Sequence, residues 1–420
     1  MSHTSSFQTY LVGGAVRDER LGLPVKDRDW VVVGAHPEQL IAAGFKQVGA
    51  DFPVFLHPET GEEYALARTE RKTGQGYQGF TCYSAPDVTL EEDLQRRDLT
   101  INAMALAQDG TIIDPFNGQQ DLKDGLLRHV SPAFSEDPLR VLRVARFAAR
   151  LAPLGFNVAP DTMTCMRDMV SSGELNQLTP ERVWQETLRA LAETQAHVYF
   201  SLLRELGALA IIMPELDALF GVPQPEAYHP EIDCGVHALM SLEQASRLSD
   251  EPATRFAALV HDLGKALSPQ ELLPKHHGHE IKGIKPIKQL CTRLRTPNHF
   301  RDLAVHTSEY HTHVHRAFEL RPQTLLKVLK AIDALRRPER FEAFLICCEA
   351  DARGRTGFED RDYPQAEFFR QAFAAMRSVN VKQVRNETGL DGKALGEAID
   401  MARVHAIRDW RQDYLAQHAQ

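Results

Sequence analysis

Short apolar runs of four to eight residues punctuate the first part of the chain. TYLVGG, DRDWVVVG, EYALARTE, LTINAMALA and GTIIDPF are rich in Val, Ile and Tyr and bounded by turn residues, which predicts β-strands. Segments of helical period such as AVRDERLG lie between them. After Ser135 the period changes: PERVWQETLRALAET, AHVYFSLLRELGALAI, TRFAALVHDLGKAL, PQTLLKVLKAIDALRR and RFEAFLICCEADARG each gather apolar residues on one helical face. The fold class expected is α+β, an α/β head followed by an all-α body. Pro-rich punctuation at FGVPQPEAYHPE and again at YPQAEFF divides that body, giving expected domains of 1–135, 136–220, 221–360 and 361–420.

Composition narrows the class. At 420 residues, 43% apolar and 25% charged, the chain has the make-up of a globular protein able to bury a core without staples. No apolar run approaches the ~20 residues that cross a bilayer. The start, MSHTSSFQTYLVGG, has no basic segment followed by an apolar stretch and a cleavage site, so the cytoplasm is the expected compartment. Six cysteines, Cys347 and Cys348 adjacent among them, show no paired spacing and are expected to pack as reduced thiols. The net charge of -9 excludes a general nucleic-acid coat, yet Lys275 to Arg340 holds fourteen Lys/Arg against six Asp/Glu, an excess of eight positive charges along which RNA can lie.

Three constellations carry chemistry. In the first, LVGGAVRD reads as strand, glycine turn and helix, so backbone N–H groups at Gly13 and Gly14 and the helix's positive end can meet a phosphate, with Arg17 one turn on. KDRDWVVV follows, with Asp27 and Asp29 at i and i+2 on an expected strand, both carboxylates leaving one face toward divalent metal. Each piece alone is also what an ordinary turn looks like; their order is the informative part.

The second is SEDPLRVLRVARFAAR. Ser135 is the expected N-cap, and Arg140, Arg143, Arg146 and Arg150 fall within an arc of about 120° on the helix that follows. Without an interleaved acid at i+4 such a face repels itself unless an anion sits on it. Asp137 and Arg140 together offer an acceptor beside a donor, which complements the amino group and ring acceptor of cytosine or adenine and mismatches guanine or uracil. The third is a set of histidines and aspartates: His237, then the adjacent His261 and Asp262, then Asp351. Ligands of this kind from separate helices suit a divalent transition metal that activates water; a lone His-Asp pair is more often a side-chain hydrogen bond, and it is the set of His, His-Asp and Asp that is rare by chance.

GGAVRDERLGLPVKDRDW resembles the head motif of the class II tRNA nucleotidyltransferases, the CCA-adding enzymes and the related bacterial poly(A) polymerases, within the polymerase-β-like nucleotidyltransferases. The resemblance implies a polymerase-β-like α/β head followed by an all-α neck, an HD body and a tail. It implies Asp27 and Asp29 as ligands of catalytic Mg²⁺, and Gly14 and Arg17 as phosphate contacts. RRDLTINAMA is similar to the family's next motif, implying Arg97 at triphosphate or ribose and Asp98 at the sugar. EDPLRVLRVARF matches the family's EDxxRxxRxxRF, implying Asp137 and Arg140 in base selection and Arg143 and Arg146 as further nucleotide contacts. Thr179 to Leu191 resembles the neck motif in which Arg182 and Glu186 brace that helix. Ala67 to Ser84 falls where the family carries a flexible loop that helps switch from C to A addition.

The histidine set resembles the HD phosphohydrolase superfamily, with His279, Glu280, His306 and His311 at positions of additional ligands. Within the tRNA nucleotidyltransferases such a domain marks the multifunctional bacterial kind, which has phosphatase, 2′-nucleotidase and 2′,3′-cyclic phosphodiesterase activities. The implied protein adds C, C and A to the tRNA 3′ end from CTP and ATP without a nucleic-acid template. It uses Mg²⁺ in the head and a divalent transition metal such as Ni²⁺ in the HD site, is a monomer or homodimer, and has no membrane partner. A poly(A) polymerase, disfavoured by the HD motif, and an HD phosphohydrolase whose head only binds nucleotide are the alternatives. A third head carboxylate, Glu62 or Glu63, stays open.

Overall fold

The structure is a computed structural model describing residues 8–48, 54–72 and 80–417, without the side chains of 70–82. The chain divides into two compact units, Met1–Thr187 with Leu202–Ile212, and Leu188–Ser201 with Met213–Gln420. No helix among the described residues is long and apolar enough to cross a membrane.

The first unit opens with β1 (Gln8–Val12), α1 (Gly14–Arg20), β2 (Asp29–Val33), α2 (Pro37–Ala42), β3 (Lys46–Val48), β4 (Val54–Leu56) and β5 (Glu63–Leu66). A hairpin of β6 (Thr69–Lys72) and β7 (Phe80–Tyr83) follows, then α3 (Leu90–Gln95), β8 (Ala105–Leu106), β9 (Ile112–Ile113), α4 (Gly118–Asp124) and β10 (Leu126–Leu127). Seven strands form one mixed sheet in the order β3-β4-β5-β2-β1-β8-β9, with β2 and β5 parallel and the other pairs antiparallel. Val31 packs with Val12 and Ala105, whereas the next residue, Val32, packs with Leu40, Phe55 and Leu66. Both faces of β2 are therefore covered, which is why WVVV reads as a continuous apolar run rather than an alternation. Of the expected glycine-rich loop from Ala67 to Ser84, positions 73–79 lie outside the described residues, and the flanking positions form the β6–β7 hairpin.

The register positions the head site. Val12, at the end of β1, pairs with Asp29, and Asp29 pairs on its other side with Glu63. The glycine turn and two carboxyl-bearing residues thus share one edge. Asp27 falls two residues before β2 rather than on it, because the strand begins only at Asp29.

The unit continues with α5 (Leu139–Leu151), β11 (Asn157–Val158) and α6 (Pro160–Ser171), and the chain then passes along α7 (Pro180–Leu191), α8 (Ala196–Glu205), α9 (Leu209–Ile212) and α10 (Pro214–Asp217). The arginine helix starts later than the sequence predicts, and Ser135 is not its N-cap: the Ser135 hydroxyl donates to the Pro132 carbonyl. Asp137 precedes a proline, is held in an extended conformation, and instead accepts from the Leu139 N–H at 3.0 Å.

In the second unit lie α11 (Cys234–Leu248), α12 (Pro252–Val260), α13 (His279–Lys282), α14 (Ile284–Arg293), α15 (Asn298–His315), α16 (Pro322–Ala331), α17 (Pro338–Arg353), α18 (Pro364–Arg377), α19 (Val381–Thr388) and α20 (Gly392–Gln417). α12 packs against α11, α15 and α17, and these helices carry the histidine cluster. Cys234, Cys291, Cys347 and Cys348 are buried free thiols and Cys165 is half-buried, as expected of packing residues.

Candidate active sites in the head and the HD unit

Gly13 has φ +71°, and a Cβ there would stand 2.9 Å from Nη1 of Arg97. Only glycine lets the turn close beneath that guanidinium. Arg97 is anchored by Asp93 Oδ2 at 3.2 Å and by the Asn102 carbonyl at 3.4 Å. Arg17 is 2% exposed: its Nε donates to Asp18 Oδ1 at 2.9 Å, Nη1 bonds the Asn102 side-chain oxygen, and burial lowers its pKa. Arg17 thus packs under the turn rather than projecting from it. Asn102 Nδ2 donates in turn to Asp98 Oδ1 at 3.0 Å. This asparagine, which the motif reading passed over, ties the glycine turn to the Arg-Arg-Asp segment, and only its place inside RRDLTIN hinted at it.

Asp29 is exposed, yet atoms crowded about its carboxyl raise its pKa by desolvation, with Arg97 opposing and the Asp27 charge adding. Among the described residues neither Asp27 nor Asp29 forms a salt bridge, and a hard divalent ion fits such an oxygen pair. Of the two candidates for a third carboxylate, Glu62 accepts from Trp30 Nε1 at 3.0 Å, while Glu63 sits exposed beside Asp29 in the sheet.

The arginine face does not await an outside anion. Arg143 Nη2 lies 2.7 Å from Asp98 Oδ2, Arg146 Nε lies 2.6 Å from Glu186 Oε2, and Arg150 Nη2 lies 2.8 Å from Asp18 Oδ2. Burial opposes the Asp98 charge, but Arg143 and Asn102 outweigh it and hold this carboxyl well below its usual range. Arg146 is buried over the Phe147 ring at 4.4 Å. Arg140 donates to the Ala133 and Arg96 carbonyls at 2.8 and 2.6 Å, and Arg182 Nη2 lies 2.8 Å from Asp137 Oδ2. Carboxylates and carbonyls from outside the helix balance this cationic face.

In the second unit His261 caps the end of α12, and Gly264 follows. A Cβ on Gly264 would come within 2.0 Å of the His279 carbonyl, so glycine is what brings the α13 segment against the His-Asp turn. Four histidines then share one orientation. Nδ1 of His237 faces the Gly354 carbonyl at 2.9 Å, that of His261 the Ala258 carbonyl at 2.7 Å, that of His279 the His276 carbonyl at 2.8 Å, and that of His311 the Thr307 and Ser308 carbonyls at 3.0 Å. Each therefore donates outward from Nδ1 and turns Nε2 inward, the arrangement metal-ligating histidines adopt.

The inward atoms converge on two carboxylates. His237 Nε2 is 3.0 Å from Asp351 Oδ1, and His261 Nε2 is 3.2 Å from Asp262 Oδ2. His279 Nε2 is 3.3 Å from Asp262 Oδ1 and 3.4 Å from His311 Nε2. Ligand atoms of His237, His261 and Asp351 lie within 4.8 Å of one another, as do those of His261, Asp262 and His311. His261 Nε2 and Asp262 Oδ1 are buried without a well-formed hydrogen bond. Burial opposes the charge of Asp262 and Asp351, yet neighbouring cations hold both carboxyls far down; His261 is held up to about 10 against burial, and His311 is pushed to about 3 by burial. Inward-facing Nε2 atoms around two buried carboxylates, with a metal ion taking the place of the proton on His261, fit a divalent transition metal.

Two expected additional ligands fall elsewhere. His306 is five residues from His311 on α15, some 140° around the helix, and lines a separate depression with Lys288, Arg301 and Asp302. Glu280 approaches His279 on its outward Nδ1 side, at 3.6 Å. His315, one turn beyond His311, was overlooked: its Nε2 meets Asp351 Oδ2 at 2.7 Å and its Nδ1 meets the Tyr363 hydroxyl at 2.8 Å. The i, i+4 spacing in HTHVH was the available signal.

A nucleotidyltransferase head joined to an HD unit is the class these features define. Residues 9–128 match the poly A polymerase head domain, 155–220 the probable RNA and SrmB-binding site of polymerase A, and 235–337 the HD domain. The chain is 61% identical to the multifunctional CCA protein of Thioalkalivibrio sulfidiphilus over 97% of its own length and 99% of the relative's, and 60% identical to that of Hahella chejuensis over 97% and 96%. It therefore belongs to the multifunctional CCA proteins, CCA-adding nucleotidyltransferases with an HD domain. The fold is shared with a CCA-adding enzyme in complex with CTP, at a TM-score of 0.65, 20% identity and coverage of 100% and 94% of the two chains. It is shared equally with the Thermotoga maritima CCA-adding enzyme complexed with tRNA, at 0.64, 19%, 98% and 92%.

Proposed function

We propose that the chain adds C, C and A from CTP and ATP to the 3′ end of tRNA, and that its HD unit hydrolyses phosphate esters at RNA 3′ ends. In the first reaction the RNA 3′-oxygen bonds to the α-phosphorus, the bond to the bridging oxygen breaks, and pyrophosphate leaves. Asp27 and Asp29 hold Mg²⁺, which supplies activation of the hydroxyl and neutralises the departing charge. Gly14 and Arg97 meet the triphosphate at the turn, Arg17 supports that turn from below, and Asp98, Arg143 and Arg146 shape the nucleotide pocket. Asp137 and Arg140 read the base edge, braced by Arg182 and Glu186. The observation that carries this reading is the pairing at the start of α5: an acceptor, Asp137, and a donor, Arg140, three residues apart and each fixed by partners from outside the helix.

In the HD unit His237, His261, Asp262 and Asp351, with His279 and His311, hold a divalent transition metal such as Ni²⁺, which supplies a water of lowered pKa. Hydrolysis adds that water across one P–O bond, leaving a phosphate monoester, or free phosphate, and a protonated ribose hydroxyl. Cyclic 2′,3′-phosphates and terminal 2′- or 3′-phosphates are the substrates. The division into 1–135, 136–220, 221–360 and 361–420, a cytoplasmic location, and a monomer or homodimer complete the reading. Incubating the protein with tRNA lacking its CCA end, and either CTP plus ATP or ATP alone, tests it. Three added nucleotides in the order C, C, A support it; long A tails without C sink it.

A further inference from the structure

The HD cluster opens into a cavity of about 800 Å³, a size that takes a whole nucleotide-scale ligand rather than a phosphate alone. His279, His311, His315 and Asp351 line it, and so do three arginines of the RGRTGFEDRDYP segment. Those arginines are not equivalent. Arg353 is neutralised by Glu349 at 2.8 Å. Among the described residues Arg355 donates only to neutral carbonyls, those of Ala352 at 2.9 Å and Tyr228 at 3.3 Å. Among the described residues the Arg361 guanidinium has only the Phe358 ring.

Both unpaired guanidiniums lean on that one ring, at 4.7 Å for Arg355 and 5.3 Å for Arg361. No carboxylate among the described residues forms an ion pair with either, although Asp362 lines the same cavity. Lys265, the other cation of the cavity wall, is spent on Asp262 at 2.6 Å. Two like charges gathered at one aromatic ring beside a cavity are favourable when an anion lies between or near them, and planar guanidiniums match phosphate. Gln365 lines the cavity too, with its side-chain oxygen shielded and unpartnered, so a sugar hydroxyl would satisfy it.

We propose that Arg355 and Arg361 bind a second, non-reacting phosphate of the HD substrate: the phosphodiester linking the 3′-terminal nucleotide to the rest of an RNA chain. The HD site thereby selects RNA ends over free mononucleotides. The inference rests on the hydrolytic reading above. Its test compares two probes on the full chain loaded with Ni²⁺: 2′,3′-cyclic CMP, and a cytidine trinucleotide ending in a 2′,3′-cyclic phosphate. The wild type should show at least a ten-fold lower KM for the trinucleotide. Arg361→Gln and Arg355→Gln, checked for an unchanged melting temperature, should raise the trinucleotide KM at least ten-fold more than the mononucleotide KM, and Arg361→Lys should restore most of the difference. Equal KM values for the two probes in the wild type, or parallel changes in the variants, overturn the inference while leaving the hydrolytic reading standing. Hydrolysis of neither probe by the wild type overturns both.

Discussion

Arg143 Nη2 lies 2.7 Å from Asp98 Oδ2, joining the arginine helix to the Arg-Arg-Asp segment across 45 positions of sequence. The folded Asp98 carboxyl sits below its unfolded value of about 3.9, so the pair stabilises the head in full above about pH 5 and ceases to as pH falls through the folded value. Asp98→Asn should cost about 1–2 kcal/mol at pH 7. The gap between wild type and variant should begin to narrow only below about pH 4. Chemical unfolding curves followed from pH 3 to 7 check both statements.

Asn102 is predicted to matter to nucleotide addition although no metal or base contact is assigned to it. It holds Arg17 and Asp98 through its side chain and Arg97 through its carbonyl. Asn102→Leu keeps the carbonyl that holds Arg97 but leaves the buried Arg17 and Asp98 side chains short of a partner, and should lower kcat/KM for CTP by about 10- to 100-fold, equivalent to about 1–3 kcal/mol. Initial rates of CMP incorporation measure it.

Selection of C and A should weaken when Asp137 is replaced by Asn. An amide offers both a donor and an acceptor, so the edge that rejects uracil and guanine becomes ambiguous. The preference for CTP over UTP in first-nucleotide addition should fall by about 10- to 100-fold. Competition assays read this as a ratio, which is insensitive to the loss of the Leu139 cap or the Arg182 pair.

Gly264→Ala should strip the HD metal. The added Cβ, 2.0 Å from the His279 carbonyl, forces α13 away and takes His279 Nε2 with it. Elemental analysis after dialysis against chelator should find bound transition metal reduced at least ten-fold relative to wild type.

The local signals were legible in the sequence. The glycine turn, the acids before WVVV and the HD pair lie within a few residues of the backbone features that use them, and the α/β head and helical body follow from period. What could not be read is what the tertiary fold brings from afar. The arginine helix shows no acid at i+4, so along the helix alone it looks starved of counter-charge; its acids come from Asp18, Asp98 and Glu186, out of other elements. Asp27 was placed on a strand that starts two residues later, since one-residue boundaries depend on pairing with β1. His306 is expected at the cluster and His315 is not, because the angle around α15 decides which of them joins it and a motif match carries no such angle.

On the reading proposed above, one chain carries two separate metal-dependent sites, one for addition and one for hydrolysis. Asp27→Asn and Asp262→Asn, assayed side by side for CMP incorporation into tRNA lacking CCA and for hydrolysis of 2′,3′-cyclic CMP, test it most directly. Asp27→Asn should lose incorporation at least 100-fold with hydrolysis retained, and Asp262→Asn should do the reverse. Loss of both activities in either variant, or of neither in Asp27→Asn, contradicts it.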